Sequence, residues 1–167
     1  LARFGKAEVS LPGGCAIGSR PVDLHLNALK KMGAEIEIHD GYIKGNVPNG
    51  RLIGSDINLA KPSVGATENI IMAASIASGR TTVKNVAMEP EIDDLIHALN
   101  KMGGNIKRVE NKTIEIIGVD NLKGYLHTVM SDRIEAGTYA IAAVITGGNI
   151  KLINVNSNHL ESVIDFL

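Results

Sequence analysis

The only cysteine of the chain, Cys15, lies in the segment Leu11-Pro12-Gly13-Gly14-Cys15-Ala16-Ile17-Gly18-Ser19-Arg20-Pro21. Three glycines and two prolines in that segment predict an exposed loop, between a strand at 7–11 and a following helix. Backbone N–H groups and Arg20 could surround an anion there, and the same positive setting would favour the thiolate of Cys15. A thiol so placed can act as a proton donor or as a nucleophile. The plainer alternative is a small buried hydrophobe beside a Gly-Gly turn. A single cysteine in any case excludes an internal disulfide and a multi-cysteine metal site.

A second candidate is Lys61-Pro62-Ser63-Val64-Gly65-Ala66-Thr67, a cation and small residues leading into an apolar stretch. Unpaired N–H groups at a helix start form a phosphate seat, to which Lys61 would add charge. Alternatively, Ser63 or Thr67 only caps the helix. In Ser131-Asp132-Arg133-Ile134-Glu135, adjacent charges precede another helix and read as substrate groups or as a solvated first turn. The acidic run Glu89-Pro90-Glu91-Ile92-Asp93-Asp94 suits the positive end of a helix and reads first as capping. Histidines 25, 39, 97, 127 and 159 show no metal-ligand spacing, and no phosphate-loop, nucleophile-elbow or dinucleotide fingerprint is present.

The elements that must position these residues come from an internal repeat. Asp23, Leu29, Lys31, Met32, Gly33 and Ile36 match Asp93, Leu99, Lys101, Met102, Gly103 and Ile106, a constant offset of 70. Each copy predicts an amphipathic helix stopping at Gly33 or Gly103, then two alternating strands joined by a turn at Asp40-Gly41 or Glu110-Asn111. Between the copies, an Ala-, Ile- and Met-rich helix is predicted over 63–78, ending at Gly79 and followed by a strand at 81–83. Gly65-Ala66-Thr67 through Gly79 to Asn85 recurs as Ala136-Gly137-Thr138 through Gly148 to Asn154. The unit is therefore helix, strand, helix, hairpin. Helices this apolar should sit inside, with sheets packed outside them, in a mixed α/β (α+β) fold.

Composition narrows the function classes. Net charge is −1 and no basic run occurs, so the electrostatic footprint of a nucleic-acid binder is missing. Apolar runs are far too short for a transmembrane helix, which makes a soluble cytoplasmic protein the expectation. Aromatics are 3% and Trp is absent, so the core must be built from Ile, Val, Leu, Ala and Met. Both ends look abrupt, and a piece of a longer polypeptide is expected.

Leu11 to His25 resembles the cysteine loop of the UDP-N-acetylglucosamine enolpyruvyl transferases almost letter for letter. Lys61 to Thr67, Glu89 to Ile92 and Asp132 to Glu135 resemble further motifs of that family in the same order, so the likeness covers the whole chain. It implies an inside-out α/β barrel fold of two domains, each of three similar units with helices inside. Residues 1–130 would belong to the cysteine-loop domain, and 131–167 would start a further unit. The implied reaction moves the enolpyruvyl group of phosphoenolpyruvate to the 3′-hydroxyl of UDP-N-acetylglucosamine and releases phosphate, with no cofactor.

By the same resemblance Cys15 is the proton donor and the thiol alkylated by fosfomycin, while Arg20 holds the phosphoenolpyruvate phosphate. Pro21, Val22, Asp23 and Leu24 resemble the uridine-binding stretch, and Lys61, Ser63, Val64 and Gly65 the diphosphate contacts. Asp132, Arg133, Glu89, Glu91 and His25 are further candidates on the matching motifs. The family's lysine–asparagine pair, its aspartate base and several arginines have no counterpart, so the chain alone is expected to be inactive. Two alternatives stand beside this reading: a non-catalytic nucleotide-sugar-binding remnant, and the shikimate-pathway enolpyruvyl transferase, which does not share the cysteine loop.

Overall fold

In the computed structural model, residues 1–13 and 21–167 are described, and they fall into two compact units, Leu1–Leu126 and His127–Leu167. The first unit runs β1 (Lys6–Ser10), α1 (Asp23–Lys31), β2 (Glu35–His39), β3 (Tyr42–Asn46), β4 (Asp56–Asn58), α2 (Val64–Ala74), β5 (Arg80–Lys84), α3 (Pro90–Lys101), β6 (Asn105–Glu110) and β7 (Thr113–Ile117). Helices α1 and α3 end as their glycines predict. Met32 and Met102 occupy the C-caps, and Gly33 and Gly103 follow with φ of 91° and 97°, a region open to glycine at little steric cost.

Both predicted hairpins form. In the first, His39 pairs with Tyr42 across Asp40-Gly41, both at positive φ, the tight turn whose twist suits antiparallel strands. In the second, Glu110 pairs with Thr113, so the turn is Asn111-Lys112, one residue later than predicted. The cause is a bulge between Arg108 and Glu110, where Val109 adds a residue that the first copy lacks.

Strands β1, β3 and β2 form one antiparallel sheet, and β4, β5, β7 and β6 a second in which only β4 and β5 are parallel. A parallel pair needs a crossover, and α2 supplies it. The three-residue β4 was not anticipated, being too short to show alternation. Helix α2 packs against both α1 and α3 and buries Ala66, Thr67, Ile70, Ile71, Ala73 and Ala74. One aliphatic core joins these to Met32, Ile57, Val83, Ile92, Ile106, Ile114 and Ile116. Charged Glu8, Lys44 and Glu37 lie opposite one another on the face of the first sheet away from buried Ile36. Helices inside and sheets outside thus describes this unit.

Helix α2 is shorter than the 63–78 expected. The Ser75 hydroxyl donates to the Ile71 carbonyl at 2.7 Å, and the chain turns at 75–78. Past the helix end, the Arg51 guanidinium donates to Ile76 O (2.9 Å), Ala77 O (3.2 Å) and Val119 O (2.9 Å) and pairs with Asp120 (2.6 Å). One side chain thereby ties three segments together. Arg51→Ala is expected to destabilise the unit by about 2 kcal/mol in chemical denaturation, with little recovery in Arg51→Lys, because a point ammonium cannot span the fork.

The second unit contains α4 (Arg133–Thr146), a 3₁₀ turn (Ser157–Leu160) and α5 (Glu161–Phe166). Gly147 ends α4 in the left-handed conformation, and Leu160 and Val163 pack over Gly137. The strand expected after Gly148 does not form. Its counterpart β5 is held between β4 and β7, and no described residue of this unit offers a pairing strand. Asn154 nonetheless repeats the left-handed backbone of Asn85, at φ 61° and 58°, so the internal alignment persists where the pairing is lost. Among the described residues no helix is long and apolar enough to cross a membrane.

Candidate functional site

Two predicted stretches far apart in sequence meet where the start of α1 packs against the start of α2. A β-carbon on Gly65 would stand 3.5 Å from His25 Cε1 and 3.9 Å from Nε2, so the imidazole lies directly beside the first turn of α2. Asn69, one turn further along α2, donates from Nδ2 to Gly65 O at 3.1 Å, and the same nitrogen lies 2.9 Å from His25 Nδ1. Burial pushes the His25 imidazole below its ordinary value, against the opposing pull of the Asp23 carboxylate.

The start of α2 is electrostatically bare. Ser63 is its N-cap, in extended conformation, and its hydroxyl accepts from the Ala66 N–H at 3.3 Å. Thr67, the other capping candidate, is fully buried and accepts instead from the Ala87 N–H at 3.1 Å, which ties the approach to α3 onto α2. The first turn of α2 carries no acidic residue, whereas α1, α3 and α4 carry Asp23, Glu91 with Asp93, and Glu135 in theirs. With the N–H groups of Val64 and Gly65 lacking intrahelical acceptors and Lys61 exposed nearby, this end favours an anion.

What holds Lys61 in place is a short relay that sequence reading missed. Leu59 N–H donates to Lys84 O at 3.1 Å, and Asn85 Nδ2 donates to Leu59 O at 2.8 Å, fixing the chain two residues ahead of Lys61. Its only sequence signal was Asn85 at the end of the recurring motif. Beside it a groove of about 360 Å³ runs between α1 (Leu24, Asn27, Ala28, Lys31) and the segment Ile57–Ala60. It joins Leu24 of one predicted stretch to the residue preceding Lys61 of the other. A larger groove of about 550 Å³ surrounds Arg3, Arg51 and Asp120 and includes none of the predicted site residues.

Pro21 is exposed and Val22 precedes α1 as its N-cap residue, so the Pro21–Leu24 stretch leads into the helix that carries His25. Cys15 and Arg20, and the loop expected around them, lie outside the described residues. The acidic run does sit at the positive end of α3, but Glu89, its N-cap residue, makes no side-chain capping bond. The helix start relies on Pro90 in the first turn and on the charges of Glu91 and Asp93, the latter pairing with Arg108 at 2.8 Å. Asp132 is a true cap, its Oδ1 accepting from the Ile134 and Glu135 N–H groups at 2.8 and 3.1 Å, and Arg133 follows it in the second unit. Among the described residues no cluster of His, Cys, Asp and Glu could hold a metal ion.

Sequence relatives and solved structures agree with this architecture. The chain is 54% identical over 167 residues to the UDP-N-acetylglucosamine 1-carboxyvinyltransferase of Pelagibacter ubique, which covers all of this chain and 40% of that protein. It is 52% identical over 165 residues to the same-named protein of Acinetobacter baylyi, covering 99% of this chain and 39% of the relative. The chain therefore spans about two fifths of the length of these relatives. Among solved structures, the enolpyruvyl transferase NikO from Streptomyces tendae matches with a TM-score of 0.69 at 21% identity, covering 85% of this chain and 34% of that one. EPSP synthase from Acinetobacter baumannii matches with a TM-score of 0.64 at 23% identity, over 86% of this chain and 32% of that one. The repeated units with helices inside thus have the same fold as these enzymes, and with a family match running from residue 1 to residue 167, the chain belongs to the EPSP synthase (3-phosphoshikimate 1-carboxyvinyltransferase) family.

Proposed function

We propose that this chain supplies the cysteine loop and part of the nucleotide-sugar site of a transferase that moves the enolpyruvyl group of phosphoenolpyruvate to the 3′-hydroxyl of UDP-N-acetylglucosamine, a step of peptidoglycan precursor synthesis. The observation that carries this reading is the meeting of His25, at the end of the Pro21–Leu24 stretch, with Gly65 of the Lys61–Thr67 stretch. Two segments that resemble uridine and diphosphate contacts adjoin one another at a helix start suited to phosphate. Identity of 52–55% to proteins named for this substrate, against 23% to the EPSP synthase structure, favours the nucleotide sugar over shikimate 3-phosphate.

In the proposed reaction Arg20 holds the phosphate of phosphoenolpyruvate, and Cys15 donates a proton to its methylene carbon. The sugar hydroxyl adds to the adjacent carbon, and loss of a proton and of phosphate then restores the double bond. Lys61 and the N–H groups of the first turn of α2 offset the diphosphate charge, while Pro21 to Leu24 bind uridine. Glu89, Glu91, Asp132 and Arg133 are assigned as secondary site residues. Residues 1–130 belong to the cysteine-loop domain and 131–167 to a further unit, in a cytoplasmic enzyme.

Fosfomycin tests the assignment directly, since its epoxide alkylates a thiolate. Intact mass followed by peptide mapping is expected to show one adduct, confined to Cys15 and formed faster with UDP-N-acetylglucosamine present. Modification elsewhere with Cys15 spared overturns the assignment of that residue.

A further inference from the structure

Asn69 belongs to none of the motifs that carry the family likeness, yet its amide reaches both His25 of one half of the site and the Gly65 carbonyl of the other. Its geometry decides a proton position. Gly65 O can only accept, so the Asn69 atom 3.1 Å from it is the amide nitrogen, and that nitrogen is also the atom 2.9 Å from His25 Nδ1. Its second hydrogen therefore points to Nδ1, which must present a lone pair. The proton of the neutral ring then sits on Nε2, the nitrogen 3.9 Å from where a Gly65 β-carbon would be.

We propose that Asn69 is a positioning residue that locks His25 as an Nε2–H donor beside the first turn of α2, where that N–H hydrogen-bonds a phosphate oxygen of a nucleoside diphosphate sugar. The proposal rests on the nucleotide-sugar reading above. A protonated imidazole would bring an Nδ1–H against the Asn69 amide hydrogens, so this contact works with burial to keep the ring neutral. A neutral donor adds a directed hydrogen bond to the Lys61 charge without the desolvation cost of a partly buried imidazolium. A glycine at 65 leaves the ring and the adjacent backbone N–H groups uncovered on the same side.

The test combines histidine ring ¹⁵N spectra with calorimetric titration of UDP-N-acetylglucosamine into wild type, His25→Phe, Asn69→Ala and the double variant. The wild-type His25 resonances should show a bare Nδ1 and a protonated Nε2. Loss of a donor to a charged oxygen predicts about tenfold weaker binding for His25→Phe. Asn69→Ala, which frees the ring to rotate and to exchange its proton, should weaken binding about threefold, and in the His25→Phe background it should cost nothing further. His25→Gln, which keeps an N–H donor, should retain more affinity than His25→Phe and serves if the phenylalanine variant does not fold. Protonation at Nδ1 in the wild type overturns the proposal, as does an Asn69→Ala penalty of equal size in both backgrounds. A wild type that shows the Nε2–H tautomer but does not bind UDP-N-acetylglucosamine overturns the nucleotide-sugar reading, and the phosphate role with it.

Discussion

Gly118→Ala is expected to lower the stability of the first unit by about 3 kcal/mol or more, a drop in thermal midpoint of roughly 10 °C by calorimetry. A β-carbon at 118 would overlap the Ala77 carbonyl and approach Ala74 O at 3.1 Å, and both are backbone atoms in the turn that ends α2. Rotating a side chain cannot relieve that contact. Nor can the strand withdraw, because Gly118 N–H is held by Gly79 O at 2.9 Å and Val119 N–H by Ser75 O at 2.9 Å. Gly54 meets the same obstacle in the backbone of Arg80. Gly124, whose added β-carbon would find open space, is the control, and Gly124→Ala should leave the midpoint within the scatter of surface substitutions. Equal midpoints for Gly118→Ala and Gly124→Ala would refute the close-approach argument.

If the proposed reaction holds, Cys15→Ala is expected to reduce enolpyruvyl transfer about 10²- to 10⁴-fold in kcat, the range that general acid catalysis supplies. Binding of UDP-N-acetylglucosamine and the unfolding midpoint should both be unchanged, since the proposed seat for the nucleotide sugar is built from α1 and α2. Phosphate release under saturating substrates gives the rate, and calorimetric titration gives the affinity. A variant that keeps near wild-type kcat would mean that another group protonates the methylene carbon. A variant that loses nucleotide-sugar affinity in proportion to rate would instead place Cys15 among the binding groups.

These two substitutions probe different levels of the same architecture. The clash at Gly118 arises because the turn after α2 and the segment after β7 come within backbone contact, and Arg51 clamps the same two segments through Ile76, Ala77 and Val119. That region contains none of the predicted site residues but anchors the C-terminal end of α2, whose N-terminal end is the proposed diphosphate seat. A helix fixed at both ends holds its first turn at constant distance from His25, and such rigidity is what a directed hydrogen bond to a phosphate needs.

Features that depend on local physics could be read from the order of residues alone. Helix stops at Gly33 and Gly103, the tight turn at Asp40-Gly41 and the apolar stripe of α2 follow from residue type and spacing alone, because each is settled by the conformational needs of a few neighbouring residues. The repeat at offset 70 was legible in the same way, as a pattern of identity. Tertiary structure decided what depends on partners distant in the chain. Past Ala74 the chain leaves the helix and the Ile76 and Ala77 carbonyls turn to Arg51, residues 149–154 form no strand because none pairs with them in their unit, and Glu89 makes no side-chain capping bond. The Asn69 contact belongs to this second class. Its spacing marks it only as a residue one turn along a helix, and it acquires a function because packing of α1 on α2 brings His25 within 2.9 Å of its amide. Backbone propensities act over a few residues, whereas a hydrogen bond across 44 positions exists only once the core has closed.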